Sequence, residues 1–248
     1  MRLGVVLLAA GLSQRFGAED KLLADVRGEP MLVRAIRTLR AAQADVFFAV
    51  VSTDRTAQIA REAGAFPVRN GAPQEGLSRS IALGVNAARA RGCDAVLMAA
   101  ADQPRLTADS VRALVRAFRE GTGTLACLAD ETHSGNPAIF GSAYFDELLS
   151  LRGDRGAKAV LRAHEDVLRV VRCALPGELG DADDPQALRA LLRQSGLPDA
   201  LLSDFFLDAP SPQAQKSIVL GYADAEPAQL EAALTALFTR LEAREAPV

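Results

Sequence analysis

Residues 3–23, LGVVLLAAGLSQRFGAEDKLL, join an apolar run to a small-residue loop and two cations. Residues 5–8 are uninterrupted aliphatic side chains, a pattern typical of a strand that is covered on both faces. The small residues at positions 9–11 leave no bulk between the backbone and a ligand, so that N–H groups can point at phosphate oxygens. Arg15 and Lys21 supply a planar fork and a mobile point charge, two complementary ways of neutralising a triphosphate. The stretch therefore predicts a strand that ends in a phosphate-binding loop.

This loop is neither of the two common phosphate-binding motifs. It lacks the Gly-Lys-Ser/Thr ending of a Walker loop and the Gly-x-Gly-x-x-Gly of a dinucleotide fingerprint. Taken alone, Gly11 also fits an ordinary turn in which the neighbouring cations are solvated. The combination of strand, small residues and two spaced cations favours the ligand-binding interpretation.

Composition and charge argue against several classes of function. The 248 residues carry 28 basic and 31 acidic side chains, a net charge of −3, which gives no reason to expect nucleic-acid binding. Charged residues follow the first apolar run too soon for a membrane span, and no signal-peptide cleavage pattern stands out. The three cysteines are widely spaced and indicate neither a disulfide framework nor a thiolate metal site. We expect a cytoplasmic enzyme with no nucleic-acid or membrane partner.

Hydrophobic periodicity over residues 1–195 alternates between strand and helix. Strands are predicted at residues 5–8, 46–51 and 95–99, and helices at residues 30–42, 56–63, 78–90 and 108–120. Ser78 and Thr107 are the expected caps of the last two helices. The alternation predicts an α/β fold, a Rossmann-like and mostly parallel sheet with helices on both faces. Ligands of such sheets bind at the carboxyl ends of the strands.

Asp102 stands at one of these strand ends. It follows the apolar run that ends near Ala100, and Pro104 stops the strand. A carboxylate in this position can reach into the crevice and bind a hard cation such as Mg²⁺. A turn or capping role is the alternative for such a residue. The presence of the phosphate loop favours the metal-binding role.

The string L-A-A-G-x-S-x-R-x-G at residues 8–17, followed by D-K-L-L at residues 20–23, resembles the molybdenum cofactor cytidylyltransferases. The resemblance covers residues 1–195 and implies a nucleotide-diphospho-sugar transferase type of fold. It implies Arg15, Lys21 and Asp102 as catalytic residues, with Mg²⁺ on Asp102. The late segment D-A-D-D-P resembles the family's Asp-x-Asp-Thr-Pro, which makes Asp183 the second metal ligand. Asp184 stands where the family usually has Thr, so the register within this acidic cluster is open, and either residue could instead cap a helix.

The same resemblance implies the substrate contacts. Gly76 is expected to let the base approach the backbone, and Ser80 to hydrogen-bond a pyrimidine carbonyl. Residues 134–141 and 152–158 resemble acceptor-binding segments, whose glycines would give a flexible backbone and whose cations would bind a pterin phosphate. The complete set of implied binding residues is Ala9, Ala10, Gly11, Ser13, Gln74, Gly76, Ser80, Asn136 and Asp154.

The C-terminal part of the chain departs from this resemblance. Residues 196–215 are rich in Pro, Asp and Ser and are predicted to be a linker, and residues 218–220 are predicted to be a short strand. A helix that opens at Pro227 follows, with leucines at helical spacing along one face. We expect a nucleotidyltransferase domain at residues 1–195 and a C-terminal appendage at residues 196–248 that contributes packing or partner contacts.

The resemblance implies transfer of a cytidylyl group from CTP to molybdopterin-bound molybdenum cofactor, with release of pyrophosphate. Two alternatives stay open. One is a guanylyltransferase for the same acceptor or a sugar-phosphate nucleotidyltransferase. The other is a non-catalytic carrier that delivers the cofactor to a molybdenum hydroxylase, which is also a possible recipient of the enzyme's product.

Overall fold

The structure is a computed structural model, and it describes residues 1–11, 20–26, 28–121, 124–182 and 187–188. All of them lie in the first of the two units into which the chain divides, Met1–Leu191 and Leu192–Val248. The proposed boundary at residue 195 and the appendage at residues 196–248 lie outside the described residues and stay predictions.

The described residues form a seven-stranded sheet in the order β3-β2-β1-β4-β6-β5-β7. The strands are β1 (Leu3–Ala9), β2 (Val46–Val51), β3 (Phe66–Arg69), β4 (Ala95–Ala100), β5 (Leu125–Ala129), β6 (Ser134–Gly141) and β7 (Leu168–Arg172). The helices are α1 (Met31–Leu39), α2 (Asp54–Glu62), α3 (Leu77–Ala90), α4 (Ala108–Glu120), α5 (Phe145–Ser150) and α6 (Lys158–Ala163). Every pairing is parallel except those of β6, which runs antiparallel to both β4 and β5. The predicted fold, mostly parallel with helices on both faces, is confirmed.

Strand β6 differs from what the sequence predicts for residues 134–141. Its residues were expected to be an acceptor segment with a flexible backbone, but they form a strand of eight residues in the middle of the sheet. Because β6 is antiparallel, its first residues lie at the edge of the sheet where β1 and β4 end. The acceptor segment can therefore border the crevice even though its backbone is held by strand pairing.

The two faces of the sheet bury separate apolar clusters, as the alternation of side chains along a strand requires. In β1, Val5 and Leu7 belong to the cluster that includes residues of α1 and α4, whereas Val6 belongs to the cluster that includes residues of α3, α5 and α6. Helix α3 approaches β1 closely at Gly84, where an added Cβ would lie 2.2 Å from the Cγ1 atom of Val6. This close packing holds the middle of α3 against the middle of β1.

One predicted helix cap is confirmed and the other is wrong. Thr107 caps α4, since its hydroxyl accepts a hydrogen bond of 3.2 Å from the N–H of Ser110. Helix α3 instead begins after Gly76 with no side-chain cap, and Ser78 is buried in its first turn. The N–H of Ser78 donates to the carbonyl of Gly153 at 3.0 Å, so a neighbouring loop replaces the cap. Within the described part of the chain, no helix has both the length and the apolar character to cross a membrane.

Candidate functional site

A cavity of about 800 Å³ opens where β1 and β4 end, where β6 begins and where α3 starts. It brings together ten of the residues singled out from the sequence. These are Ala9, Ala10, Gly11, Lys21, Gln74, Gly76, Ser80, Asp102, Asn136 and Asp154. Ser13, Arg15 and Asp183 lie outside the described residues, so their roles stay predictions.

Among the described residues, the end of β1 presents small groups rather than bulky side chains. Ala9 and Ala10 are almost fully buried, and a Cβ added to Gly11 would meet no atom of the described residues within 4 Å. These three residues line the cavity and take up little of its space. This arrangement suits a ligand that binds backbone N–H groups, as phosphates do.

Lys21 and Asp102 form an ion pair in the cavity at the end of β1. The Nζ atom of Lys21 lies 2.6 Å from the Oδ2 atom of Asp102, and their side chains are only 14% and 20% exposed. The backbone of Lys21 is set by a short 3₁₀ turn, Lys21–Leu23, whose N–H of Leu22 donates to the carboxylate of Asp20. Leu22 is buried and anchors the turn. Two residues 81 positions apart in sequence thus meet in a shielded place, where charges act more strongly than in water.

The second carboxylate oxygen of Asp102 fits a divalent cation. Its Oδ1 atom is buried and accepts no hydrogen bond from any of the described residues. The carbonyl of Asp102 accepts from the N–H of Ala182 at 2.8 Å, and Asp181 lines the same cavity. The described residues contain no group of three or more His, Cys, Asp and Glu able to hold a metal alone. This donor set suits Mg²⁺, which commonly takes one or two carboxylates together with substrate phosphates and water.

Gln103 links the loop of Asp102 to the segment that carries Asp181. Its Nε2 atom donates to the carbonyl of Leu179 and to the Oδ1 atom of Asp181, both at 3.2 Å. Asp181 and Gln103 are residues whose roles the sequence did not show. Gln103 has no local signature, because its function depends on a segment 76 residues further along the chain.

The buried carboxylate of Asp130 also holds the segment that carries Asp181. Asp130 accepts hydrogen bonds from the N–H groups of Thr132, His133 and Leu179 and from the hydroxyl of Thr132. Burial disfavours its charged form, but these hydrogen bonds outweigh burial and hold the pKa of Asp130 below its ordinary value. The charge of Asp130 thereby fixes the approach of the chain to Asp181.

On the α3 side, the cavity wall depends on close backbone contact. Gly76 has φ +94°, and an added Cβ would lie 2.4 Å from the carbonyl carbon of Gly153. The space into which a Cβ of residue 76 would project is thus filled by the loop that carries Asp154, so Gly76 lets two walls of the cavity meet. Its backbone lines the cavity, and the expected approach of a base to it stays a prediction.

The acceptor side combines polar and apolar groups. The Oδ1 atom of Asn136 accepts a hydrogen bond of 3.2 Å from the N–H of Ala100, so one part of this amide fastens β6 to the end of β4. Lys158, Met98 and Phe140 also line the cavity. This wall offers one cation and an apolar surface, which suit a flat, phosphorylated ligand.

Residues 5–167 match the family model of the MobA-like NTP transferase domain. The chain belongs to this family. Purine catabolism protein PucB of Bacillus subtilis is 29% identical to it over 196 residues, which are 73% of this chain and 91% of the relative. The 2-C-methyl-D-erythritol 4-phosphate cytidylyltransferase of Streptomyces avermitilis is 32% identical over 148 residues, 55% of this chain and 59% of that one.

Solved structures share the fold of this MobA-like chain. A nucleotidyl transferase from Methanothermobacter thermautotrophicus superimposes with a TM-score of 0.65 at 24% identity, covering 78% of this chain and 99% of that structure. CMP:2-keto-3-deoxy-manno-octonic acid synthetase in complex with CTP gives 0.59 at 15% identity, covering 79% and 98%. The family match shows an NTP transferase domain, and the cavity at the strand ends is its candidate functional site.

Proposed function

We propose that this protein transfers a cytidylyl group from CTP to the terminal phosphate of molybdopterin-bound molybdenum cofactor and releases pyrophosphate. The observation that carries the proposal is the shielded pair of Lys21 and Asp102, a cation and a carboxylate with one oxygen that accepts no hydrogen bond from the described residues. The pair shares its cavity with the small residues at the end of β1. A triphosphate with a divalent cation matches both groups. The proposed acceptor rests on the sequence resemblance described above.

The proposed chemistry needs no covalent intermediate on the protein. An oxygen of the acceptor phosphate attacks the α-phosphorus of CTP in line, and the bond from that phosphorus to the bridging oxygen of pyrophosphate breaks. Lys21 neutralises charge on the triphosphate, and Asp102 together with Asp181 or Asp183 would hold Mg²⁺, which neutralises phosphate charge when bound. Catalysis then consists of positioning and electrostatic stabilisation.

Ala10 supports the choice of a pyrimidine base. Guanylyl-transferring relatives usually have Gly where this chain has Ala10, and the Ala10 residue is 4% exposed while lining the cavity. Its methyl group fills space that a purine would need. A steric difference of this kind is worth about 2 kcal/mol, which corresponds to about 30-fold in the specificity constant.

The deciding experiment incubates the pure protein with Mg²⁺, loaded molybdenum cofactor and each of the four nucleoside triphosphates in turn. We expect pyrophosphate release with CTP, and in a mixture of CTP and GTP at least about 30-fold less guanylyl product than cytidylyl product. The Ala10→Gly variant should reduce the preference for CTP over GTP, because it removes only the methyl group of Ala10.

Each competing function predicts a different result. Preference for GTP would indicate a guanylyltransferase, and release that needs a sugar phosphate instead of the molybdenum cofactor would indicate a different acceptor. Tight cofactor binding without pyrophosphate release from any nucleotide would indicate a carrier that serves a molybdenum hydroxylase. Equal use of CTP and GTP would refute the steric argument from Ala10.

A further inference from the structure

Asn70 is a fully buried polar residue that the sequence did not single out. It follows directly after β3, is 0% exposed and contacts the first turns of α3. A buried amide has four hydrogen-bonding positions to satisfy, so its partners define which of its atoms faces which neighbour.

The partners of Asn70 fix the orientation of its amide. Its oxygen atom Oδ1 accepts from the N–H of Ala72 at 3.0 Å and from the Nε atom of Arg79 at 3.2 Å. Both partners can only donate, so the atom between them must be the oxygen. The nitrogen atom Nδ2 therefore faces Ser80, whose Oγ lies 3.0 Å away.

This orientation determines what the hydroxyl of Ser80 can do. Because Nδ2 can only donate, Oγ of Ser80 acts as the acceptor in that bond, and the hydroxyl proton points elsewhere. Serine in a helix often donates to a carbonyl one turn back, but within the described chain the bond from Asn70 is the sole hydrogen bond of this hydroxyl. Ser80 lines the cavity and is only 6% exposed.

We infer that Asn70 is a positioning residue that makes Ser80 a hydrogen-bond donor toward the cavity, so that this corner binds a hydrogen-bond acceptor of the nucleotide base. A pyrimidine carbonyl oxygen is such an acceptor. The inference rests on the proposed function in one respect, that a nucleotide base occupies this end of the cavity. Leu77 and Ile81, which also line it, keep the corner apolar and strengthen the bond.

The Asn70→Asp variant reverses the polarity of this contact with the smallest change of shape. The new carboxylate keeps an oxygen for Ala72 and Arg79, and the guanidinium of Arg79 favours its ionised form. Its other oxygen accepts from the hydroxyl of Ser80, which turns the proton away from the cavity. The loss should therefore equal that of Ser80→Ala.

The test is a double-mutant cycle read by equilibrium binding of CTP to the full chain. Asn70→Asp and Ser80→Ala should each weaken binding about three- to tenfold, the range of one net hydrogen bond. The double variant should bind no more weakly than either single variant, because both changes remove the same donor. If the aspartate variant fails to fold, as judged by thermal unfolding, Asn70→Ala gives a second cycle. Because it releases the hydroxyl of Ser80 without turning its proton away, it should lose less than Ser80→Ala, and the double variant should again bind no more weakly than Ser80→Ala.

Inorganic triphosphate is the matched ligand control, since it has no base. Its binding should be unchanged in all variants, whereas a general electrostatic or structural effect of the new carboxylate would weaken it too. Additive losses for CTP, or an unchanged affinity in Ser80→Ala, would overturn the inference.

The outcome for this inference is separable from that for the proposed function. Binding needs neither acceptor nor turnover, so non-additive losses in a protein that transfers nothing would refute the proposed function and leave the inference standing. Normal transfer with additive losses would refute the inference alone, and a wild-type chain that binds no CTP would refute both.

Discussion

Replacing Asp102 by Asn tests the centre of the proposed site, because it removes one charge and almost no volume. The Nζ to Oδ2 distance of 2.6 Å corresponds to a gross attraction of about 6 kcal/mol at an effective dielectric constant of about 20. Desolvation of two mostly buried groups offsets most of this, and the Asn oxygen can still accept from Lys21. We expect the free energy of unfolding to fall by only about 1–2 kcal/mol.

Activity should respond far more strongly than stability. The carboxylate charge at a metal and phosphate site contributes several kcal/mol to transition-state stabilisation, so pyrophosphate release should fall about 10³-fold or more and should not recover at saturating Mg²⁺. Asp109→Asn is the matched control. Its ion pair with Arg112 is more than half exposed, so it should lose less than about 1 kcal/mol and keep full activity.

Two measurements on Asp102→Asn and Asp109→Asn decide whether Asp102 acts in the site. Thermal unfolding establishes that each is folded, and release of pyrophosphate over a range of Mg²⁺ concentrations reports the chemistry. Near-normal turnover by a folded Asp102→Asn enzyme at saturating Mg²⁺ would refute the assignment of Asp102 to the site and its proposed role as a metal ligand.

Three further changes probe the surrounding structure. Gly76→Ala should lower the free energy of unfolding by at least about 1–3 kcal/mol and weaken CTP binding, because its positive φ strains any other residue and Gly153 fills the space of a Cβ. Gly92 also has a positive φ, but a Cβ there would meet no atom of the described residues within 4 Å, so Gly92→Ala should cost less in the same chemical denaturation assay. Asp130→Asn should lower stability by about 1–3 kcal/mol at pH 7. Because the folded pKa of Asp130 lies below the unfolded value, this contribution is lost as pH falls below about 4, so melting curves from pH 5 to 3 should shift less for the variant. Truncation after residue 195 should preserve nucleotidyl transfer while altering solubility or self-association, and a folded but inactive truncated chain would mean that residues 196–248 belong to the site.

The positions at the strand ends could be predicted from the sequence because the signals that mark them are local. An aliphatic run followed by small residues places Ala9 and Gly11 at the end of a strand, and an Asp after the buried run at residues 95–99 places Asp102 at the end of another. Parallel strands end at one edge of the sheet, so these residues meet whatever the details of packing. For the same reason Thr107 was recognised as a cap, since the hydroxyl and the N–H that it satisfies are three residues apart.

Strand order and the partners of buried polar groups were decided only by the tertiary structure. Nothing local shows that β6 enters between β4 and β5, because strand pairing depends on which faces of the whole sheet remain to be covered. Ser78 is a residue type typical of helix caps, yet it lies within α3 and its side chain caps nothing. Its N–H instead donates to the carbonyl of Gly153, 75 positions away in the sequence.

The hydrogen-bonding roles of Asn70 and Gln103 belong to the same class. A polar side chain in the sequence carries donors and acceptors, but which of them is used depends on the atoms that burial brings beside it. The sequence by itself therefore determined the strands β1, β2 and β4 and the positions of Lys21 and Asp102 at the cavity. The three-dimensional packing decided how those charges and hydroxyls are oriented, because hydrogen bonds of fixed geometry join segments that are distant in the chain.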